Sequence, residues 1–185
     1  MSSSKILEDI VISATGTKAH FDVWWAQVSE AKPRYVPIMN NHSDFFLASQ
    51  DAHYKAFFIY LAHLFDKRSD VSSIPKYLEL IKAETDPERF QQLETDYNAL
   101  IVRATPLVKI RHKRVAHVDA KLSETDVFAE ISLTWNEVRK IIYDVASFVD
   151  SFVVVSSGSG KRGIPRDGRL SEATLSLFEA LDRDE

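Results

Sequence analysis

The sequence predicts an all-α fold, a bundle of about five helices followed by a flexible tail that ends in a short helix. Apolar residues recur at steps of three and four along several long segments, and strand-like alternation is missing. The 185 residues include only 5 Gly and 6 Pro, too few for a turn-rich β fold. We therefore predict one helical domain over residues 1–155, with a Gly/Ser linker and a short C-terminal helix over residues 156–185.

The first predicted helix covers residues 5–31, which place large apolar side chains at helical spacing. Gly16 is the point where this helix could be interrupted, because glycine is a poor helix former. Pro33 and Pro37 are expected to end it, and residues 40–43 have the polar composition of a loop.

The second helix has the clearest apolar stripe in the first half of the chain. Its apolar positions run from Leu47 to Phe65, and Ser43 or Asp44 is the expected N-terminal cap. A third, shorter helix is predicted from Pro75 to Ile81.

The fourth helix starts with a strong signal, in which Thr85 is the cap, Pro87 lies in the first turn and Glu88 is at the capping-box position. Pro106 is expected to break or kink this helix, because it lacks an N–H and clashes with the preceding turn. Thr105 then reads as the cap of a new short helix that begins at Pro106.

The last long helix begins at a second capping box, formed by Thr134 and Glu137. Residues 118–133 before it are expected to be an irregular connection. Beyond the linker, apolar residues around Leu175 and Phe178 predict a short helix that docks on the body or on a partner.

Composition narrows the class of protein. The chain has no Cys, so neither disulfides nor thiolate metal sites are expected. The N-terminus, with Glu8 and Asp9, lacks the apolar core of a signal peptide, and no uncharged apolar run reaches membrane-spanning length. We expect a soluble cytoplasmic protein.

The charge distribution is uneven. The net charge is −4, yet residues 103–121 carry six cations against the single anion Asp119, an excess of +5 on a remainder of −9. A basic island on an acidic body is typical of a local phosphate-contacting site. A solvated helix face would give the same pattern.

Several familiar sites are excluded by their spacing. Residues 158–161, Gly-Ser-Gly-Lys, do not follow a strand and lack the P-loop spacing. His53 and His63 are ten residues apart, so they do not share a helix face. These two, like the isolated His20 and His42, are expected to be surface or structural histidines, and neither a metal nor a cofactor is predicted.

The segment Arg111–His117, Arg-His-Lys-Arg-Val-Ala-His, stands before the last long helix. It resembles the defining motif of the HEPN superfamily (higher eukaryotes and prokaryotes nucleotide-binding), an Arg followed a few residues later by a His. Together with Asp119 and residues 133–135, and with residues 64–66 and 73–74 in the first half, it resembles the branch of bacterial abortive-infection systems. The resemblance runs from about residue 21 to residue 152.

The resemblance implies a HEPN-like bundle that cleaves RNA without a metal. RNA carries its own nucleophile, the 2′-hydroxyl. His117 would move a proton on the 2′-hydroxyl or on the leaving 5′-oxygen, and Arg111 would stabilise charge on the phosphoryl oxygens. Products would be a 2′,3′-cyclic phosphate and a 5′-hydroxyl.

Neighbouring residues are implied to hold the substrate. Lys113 and Arg114 would contact the RNA backbone, with Asp119 beside them. His112 stands where the family commonly has Asn, and it would assist or only replace that residue. In a related group this position holds a Tyr that a partner nucleotidyltransferase can modify. Because this chain has Asp119 there, such a modification is not expected.

The family forms its site across a two-fold interface. On a straight helix, six residues rise about 9 Å and turn the side chain by about 120°, so Arg111 and His117 of one copy would not converge. We therefore expect a homodimer with RNA as substrate and an antitoxin or a nucleotidyltransferase as a further partner.

Two alternatives remain open from the sequence. A HEPN-like module would bind RNA, a nucleotide or a protein without cleaving. Alternatively, Arg111, Arg114 and His117 only end a helix, where cations are favourable against the helix dipole. Use as an antitoxin-controlled toxin or an anti-phage effector would share the ribonuclease chemistry.

Overall fold

A computed structural model describes residues 2–111, 133–156, 164 and 168–183 of the chain. Within these residues there are seven α-helices and no strand. Their bounds are α1 Ser3–Trp25, α2 Val36–Asn41, α3 Ser43–Leu64, α4 Ile74–Ile81, α5 Pro87–Ile110, α6 Trp135–Ser156 and α7 Arg169–Arg183. A π-helical turn, Ala26–Glu30, follows α1 directly, and a 3-10 turn, Pro33–Tyr35, precedes α2. The predicted all-α class is confirmed.

Four long helices close into a ring around one core. α1 packs on α3, α3 on α5, α5 on α6, and α6 back on α1. The core between them is dominated by aromatic and branched side chains, among them Phe21, Phe57, Leu107 and Ile142. This arrangement buries the apolar stripe of each helix, which supplies most of the stability of helices in a small domain.

The C-terminal helix α7 docks on the body. Phe178 is buried between the rings of Tyr35 and Phe46, with centroid distances of 5.3 and 5.2 Å. Ile38 of α2 completes this second, smaller core. The predicted helix around Phe178 is therefore present, and of the two docking alternatives the structure shows the body.

The prediction that Gly16 interrupts the first helix is wrong. α1 runs through Gly16 without a break, and a Cβ placed there would stand 3.0 Å from ring atoms of Tyr60 on α3. The glycine is therefore a point of close helix approach, at which the missing side chain admits the Tyr60 ring.

The first helical segment ends at Glu30, ahead of Pro33, as predicted, but the loop and the helix cap expected after it differ from the structure. Pro33 and Pro37 lie in the first turns of short helices, where proline is tolerated, and α2 continues to Asn41 through the predicted loop. α3 begins at Ser43 after His42, without a side-chain cap, so neither Ser43 nor Asp44 caps it.

Helix α5 corrects two further predictions. Its cap is Asp86, whose carboxylate accepts from the Arg89 N–H at 3.1 Å, while Thr85 bonds back to the Ile81 carbonyl. α5 also continues through Pro106 to Ile110, so the break expected there is absent. Fully buried side chains on both sides of Pro106, Ala104 and Leu107, hold the helix against the loss of one N–H.

A buried polar network joins α1 to α6 and α7. The Tyr143 hydroxyl donates to Oδ1 of Asp22 at 2.7 Å, and the Lys18 ammonium donates to Oδ2. The Ser171 hydroxyl donates to the Asp22 carbonyl oxygen. Burial raises the pKa of Tyr143 to about 12, and the Asp22 carboxylate adds to the shift. The hydrogen bonds from Tyr143 and Lys18 thus stabilise the buried Asp22 carboxylate.

None of the helices described combines the length and the apolar character needed to cross a membrane.

We expect Tyr143→Phe to lower the free energy of unfolding by about 1–3 kcal/mol, because a buried carboxylate loses a donor. Tyr97→Phe is the matched control, since the buried Tyr97 hydroxyl makes no hydrogen bond in the part of the chain that the structure describes. That change should stay within about 0.5 kcal/mol or stabilise the protein. Urea unfolding of both variants measures the difference, and equal losses would contradict the role given to Tyr143.

Candidate functional site

Arg111 lies at the C-terminal end of α5, where its backbone N–H donates to the carbonyls of Leu107 and Val108. Leu107 and Ile110 in the same turn are fully buried, so the end of the helix is fixed in the core. The Arg111 side chain is half-buried. The other predicted site residues, His112, Lys113, Arg114, His117 and Asp119, lie outside the described residues.

His63 lies in the last turn of α3, within electrostatic range of Arg111. The pKa of His63 is lowered from its ordinary value, first by burial and next by the positive charge of Arg111. His63 and Arg111 lie on two helices, α3 and α5, that pack on each other. This effect of Arg111 on His63 could not be predicted from the sequence, because 48 positions separate the two residues and His63 lies in no motif.

An open cavity of about 340 Å³ adjoins His63. We call it the His63 cavity. It is bounded by α1 and by the loop after α3, and is lined by Asp9, Ser13, His63, Asp66, Arg68, Asp70, Val71 and Ser72. Its volume is within the range of small-ligand sites.

Ion pairs fix two walls of the His63 cavity. Arg68 binds Asp66 through two nitrogens, Nε to Oδ2 at 3.1 Å and Nη2 to Oδ2 at 3.0 Å, and this contact lowers the pKa of Asp66. Asp9 accepts from Lys5 at 2.6 Å and from the Ser72 hydroxyl at 2.8 Å, and its pKa is lowered as well. A neighbouring cation therefore balances the negative charge of each of these two carboxylates.

The start of α6 is anchored as firmly as the end of α5. Thr134 and Glu137 form the predicted capping box, with the Glu137 N–H donating to Thr134 Oγ1 and the Thr134 N–H donating to Glu137 Oε2. The Trp135 ring lies 4.5 Å from the Trp24 ring, centroid to centroid. The chain segment between Arg111 and Thr134 is thus attached to the core at both ends.

The sequence suggested that His20 is isolated, but in the structure it contacts a second histidine. Its Nδ1 lies 2.8 Å from Nδ1 of His53 across the α1–α3 interface, and Tyr60 stacks on the His20 ring. One ring must donate and the other accept, so the contact requires at least one neutral imidazole. Among the described residues no group of three or more potential ligands could hold a metal ion.

The described residues thus form an all-α bundle in which Arg111, the first residue of the Arg/His motif, lies at the C-terminal end of α5. Residues 4–154 match the model of the AbiU2 family of HEPN domains, and the chain belongs to that family. It is therefore a HEPN domain of the abortive-infection type, which confirms the resemblance read from the sequence. The match ends before α7. No curated protein and no solved structure matches the chain.

We expect the stability of the protein to fall as the pH decreases from about 7.5 to about 5.5. Burial lowers the pKa of both His20 and His53, and the charge of His20 lowers that of His53 further. The unfolded chain therefore binds more protons than the folded one below a pH of about 6.5, and protonation favours unfolding. Urea midpoints measured at each pH test this.

The double variant His20→Gln, His53→Gln should show a weaker pH dependence of the urea midpoint over the same window. His42→Gln is the control, since His42 is an exposed residue between α2 and α3. Carboxylates do not contribute in this window, because Asp titrates near pH 4 and below. An unchanged slope in the double variant would refute the role of this pair.

Proposed function

We propose that the chain is a metal-independent endoribonuclease that uses Arg111 and His117, and that it acts as a toxin or an anti-phage effector in the cytoplasm. One observation supports the proposal: the chain is an AbiU2-type HEPN domain in which the motif arginine, Arg111, lies at the C-terminal end of α5. The surrounding excess of positive charge over residues 103–121 suits a polyanionic substrate.

The chemistry requires a proton acceptor, a proton donor and a cation. The RNA 2′-hydroxyl attacks the adjacent phosphorus and the bond to the 5′-oxygen breaks, giving a 2′,3′-cyclic phosphate and a 5′-hydroxyl. Arg111 binds the phosphoryl oxygens, on which negative charge increases in the transition state. His117 transfers a proton, since an imidazole titrates near neutral pH.

Residues beside this pair serve the substrate. Lys113 and Arg114 bind backbone phosphates, and His112 and Asp119 contribute polar contacts. Because Asp119 stands where a related group has a modified Tyr, control by nucleotidylation at this position is not part of the proposal. An antitoxin or another bound protein remains the natural means of control.

The proposed active form is a homodimer. On a straight helix, Arg111 and His117 would be too far apart to meet over a single phosphate, whereas a two-fold interface would bring the motifs of two copies together. Each site would combine Arg111 of one subunit with His117 of the other.

We expect the purified protein to cleave RNA in the presence of EDTA, and Arg111→Ala and His117→Ala each to reduce the rate by about 10²- to 10⁴-fold. The products should carry 2′,3′-cyclic phosphate ends. Arg89→Ala is the control, an exposed arginine at the other end of the same helix. RNA binding without cleavage would instead indicate a non-catalytic HEPN module, and absence of both would reject the proposal.

The dimer is tested by sedimentation and by mixing. A species of twice the monomer mass is expected at micromolar concentration. Arg111→Ala and His117→Ala proteins, each inactive alone, should recover part of the activity when combined, because a mixed dimer keeps one intact site. A strictly monomeric protein, or no recovery on mixing, would contradict the shared site.

A further inference from the structure

Two cations on neighbouring helices share one carboxylate at the α5–α6 contact. Nη1 of Arg103 lies 2.7 Å and Nζ of Lys140 lies 2.9 Å from the same oxygen, Oδ2 of Asp144. The two cationic nitrogens are therefore no farther apart than the sum of these distances. We call these three residues the Arg103 cluster. The Arg103 and Lys140 side chains are 42% and 68% exposed, so a ligand in solution can reach both, and the cluster has a net positive charge.

The charges of α5 are unevenly distributed along the helix. Its first ten residues carry three anions and one cation. From residue 97 onward the charged residues are Arg103, Lys109 and Arg111, all of them cations. A polyanion would therefore be attracted to the C-terminal half of α5 and repelled from the N-terminal half.

The Arg103 cluster lies near the helix end that carries the motif arginine. Eight residues separate Arg103 from Arg111, which on an α-helix corresponds to a rise of about 12 Å and a rotation of about 80°. Lys140 lies in the second turn of α6, which begins at Trp135. Both helices next to the motif segment thus contribute to the cluster, and a strand of a few nucleotides can span the distance from the cluster to Arg111.

We propose that Arg103 and Lys140 bind a backbone phosphate of RNA, outside the reacting nucleotides, and so hold the strand along the α5–α6 contact. This inference rests on the proposed ribonuclease activity and adds a binding site for its substrate. A guanidinium has five N–H donors and an ammonium three, so both groups can keep their contact with Asp144 and still donate to a phosphate. Because Asp144 already orients the two side chains, less side-chain freedom is lost when the phosphate binds.

A phosphate suits this cluster better than a protein surface does. Charged side chains are depleted from the centres of protein interfaces, whereas Arg and Lys supply many of the contacts that proteins make to nucleic-acid phosphates. A second copy of the chain or an acidic protein is the competing partner, and the experiments below distinguish it from RNA.

The first test measures binding without cleavage. The probe is a fluorescently labelled single-stranded oligoribonucleotide with 2′-O-methyl sugars, which lacks the 2′-hydroxyl nucleophile. The double variant Arg103→Gln, Lys140→Gln should bind it about 5-fold more weakly near 0.1 M salt. The slope of log Kd against log salt concentration should fall by about 0.7, the value for one phosphate contact of a single strand. Fluorescence anisotropy over a series of salt concentrations gives both numbers.

The matched control removes the same charge elsewhere. Lys55 on α3 and Lys76 on α4 each pair with one carboxylate, at 2.7 and 3.0 Å. The double variant Lys55→Gln, Lys76→Gln should bind the probe within about 2-fold of the wild type and keep its salt slope, because screening limits the effect of distant charges. Equal losses in the two double variants would overturn the proposal, since net charge alone would then explain them.

Asp144→Asn distinguishes phosphate binding from a purely structural role of the cluster. If the three residues only joined α5 to α6, removing the carboxylate would weaken RNA binding as much as removing the two cations. In the proposed site the variant keeps both cations and loses a negative charge, so it should bind the probe at least as tightly as the wild type. Weaker binding by Asp144→Asn, with a normal urea midpoint, would contradict the site.

The outcomes separate this inference from the function on which it rests. On cleavable RNA, the Arg103→Gln, Lys140→Gln protein should show a raised KM and a kcat within about 2-fold of the wild type, because the contact is equally strong before and in the transition state. If it cleaves and binds like the wild type, the ribonuclease stands and the phosphate site is refuted. If the wild type binds the probe through Arg103 and Lys140 but cleaves no RNA, the site stands and the ribonuclease falls. If the double variant changes the sedimentation of the protein and not its RNA binding, the cluster serves a protein contact and the proposal fails.

Discussion

The contact on which the rest of the structure depends is the aromatic junction around Trp24. Its ring touches Tyr54 and Phe57 of α3, at centroid distances of 5.8 Å each, and Trp135 at 4.5 Å. Three of the four long helices, α1, α3 and α6, therefore meet at the Trp24 side chain. Because Trp135 is the first residue of α6, the junction also fixes the start of α6. Aromatic contacts of this kind contribute beyond their buried area.

The segment that carries the motif connects the end of α5 to the start of α6. Both of its ends are fixed, the second one by the junction around Trp24. Arg111 follows a helical turn whose Leu107 and Ile110 are fully buried, so its backbone cannot move without disturbing the core. The motif thus begins on a rigid element. The role proposed for Arg111 would require a precisely held guanidinium, and a buried helix end provides such support.

Much of the fold could be predicted from local patterns. Apolar periodicity identified the long helices, and the Thr134–Glu137 capping box marked the start of α6 because that signal is satisfied within four residues. Predictions failed where the local structure depends on tertiary packing. Gly16 looked like an interruption, yet the Tyr60 ring uses the space that a side chain would fill. Pro106 looked like a break, yet burial of its neighbours outweighs one lost N–H.

The residues of the candidate site could likewise be predicted from the sequence only in part. Arg111 was identified from a motif, which is local in sequence. His63 could not be found, because the effect of Arg111 on its pKa depends on the tertiary structure. The same holds for His20 and His53, whose spacing in the chain says nothing about their Nδ1 atoms, 2.8 Å apart. Histidines outside motifs therefore require the tertiary structure before a role can be assigned to them.

The homodimer proposed above has a consequence for the control of activity. If each site combines Arg111 of one subunit with His117 of the other, a single copy of the chain lacks one half of the site. Activity would then rise with the concentration of the dimer rather than with that of the chain, because association supplies the missing half. A rigid end of α5 suits such a site, since the arginine then needs no rearrangement when the second copy binds.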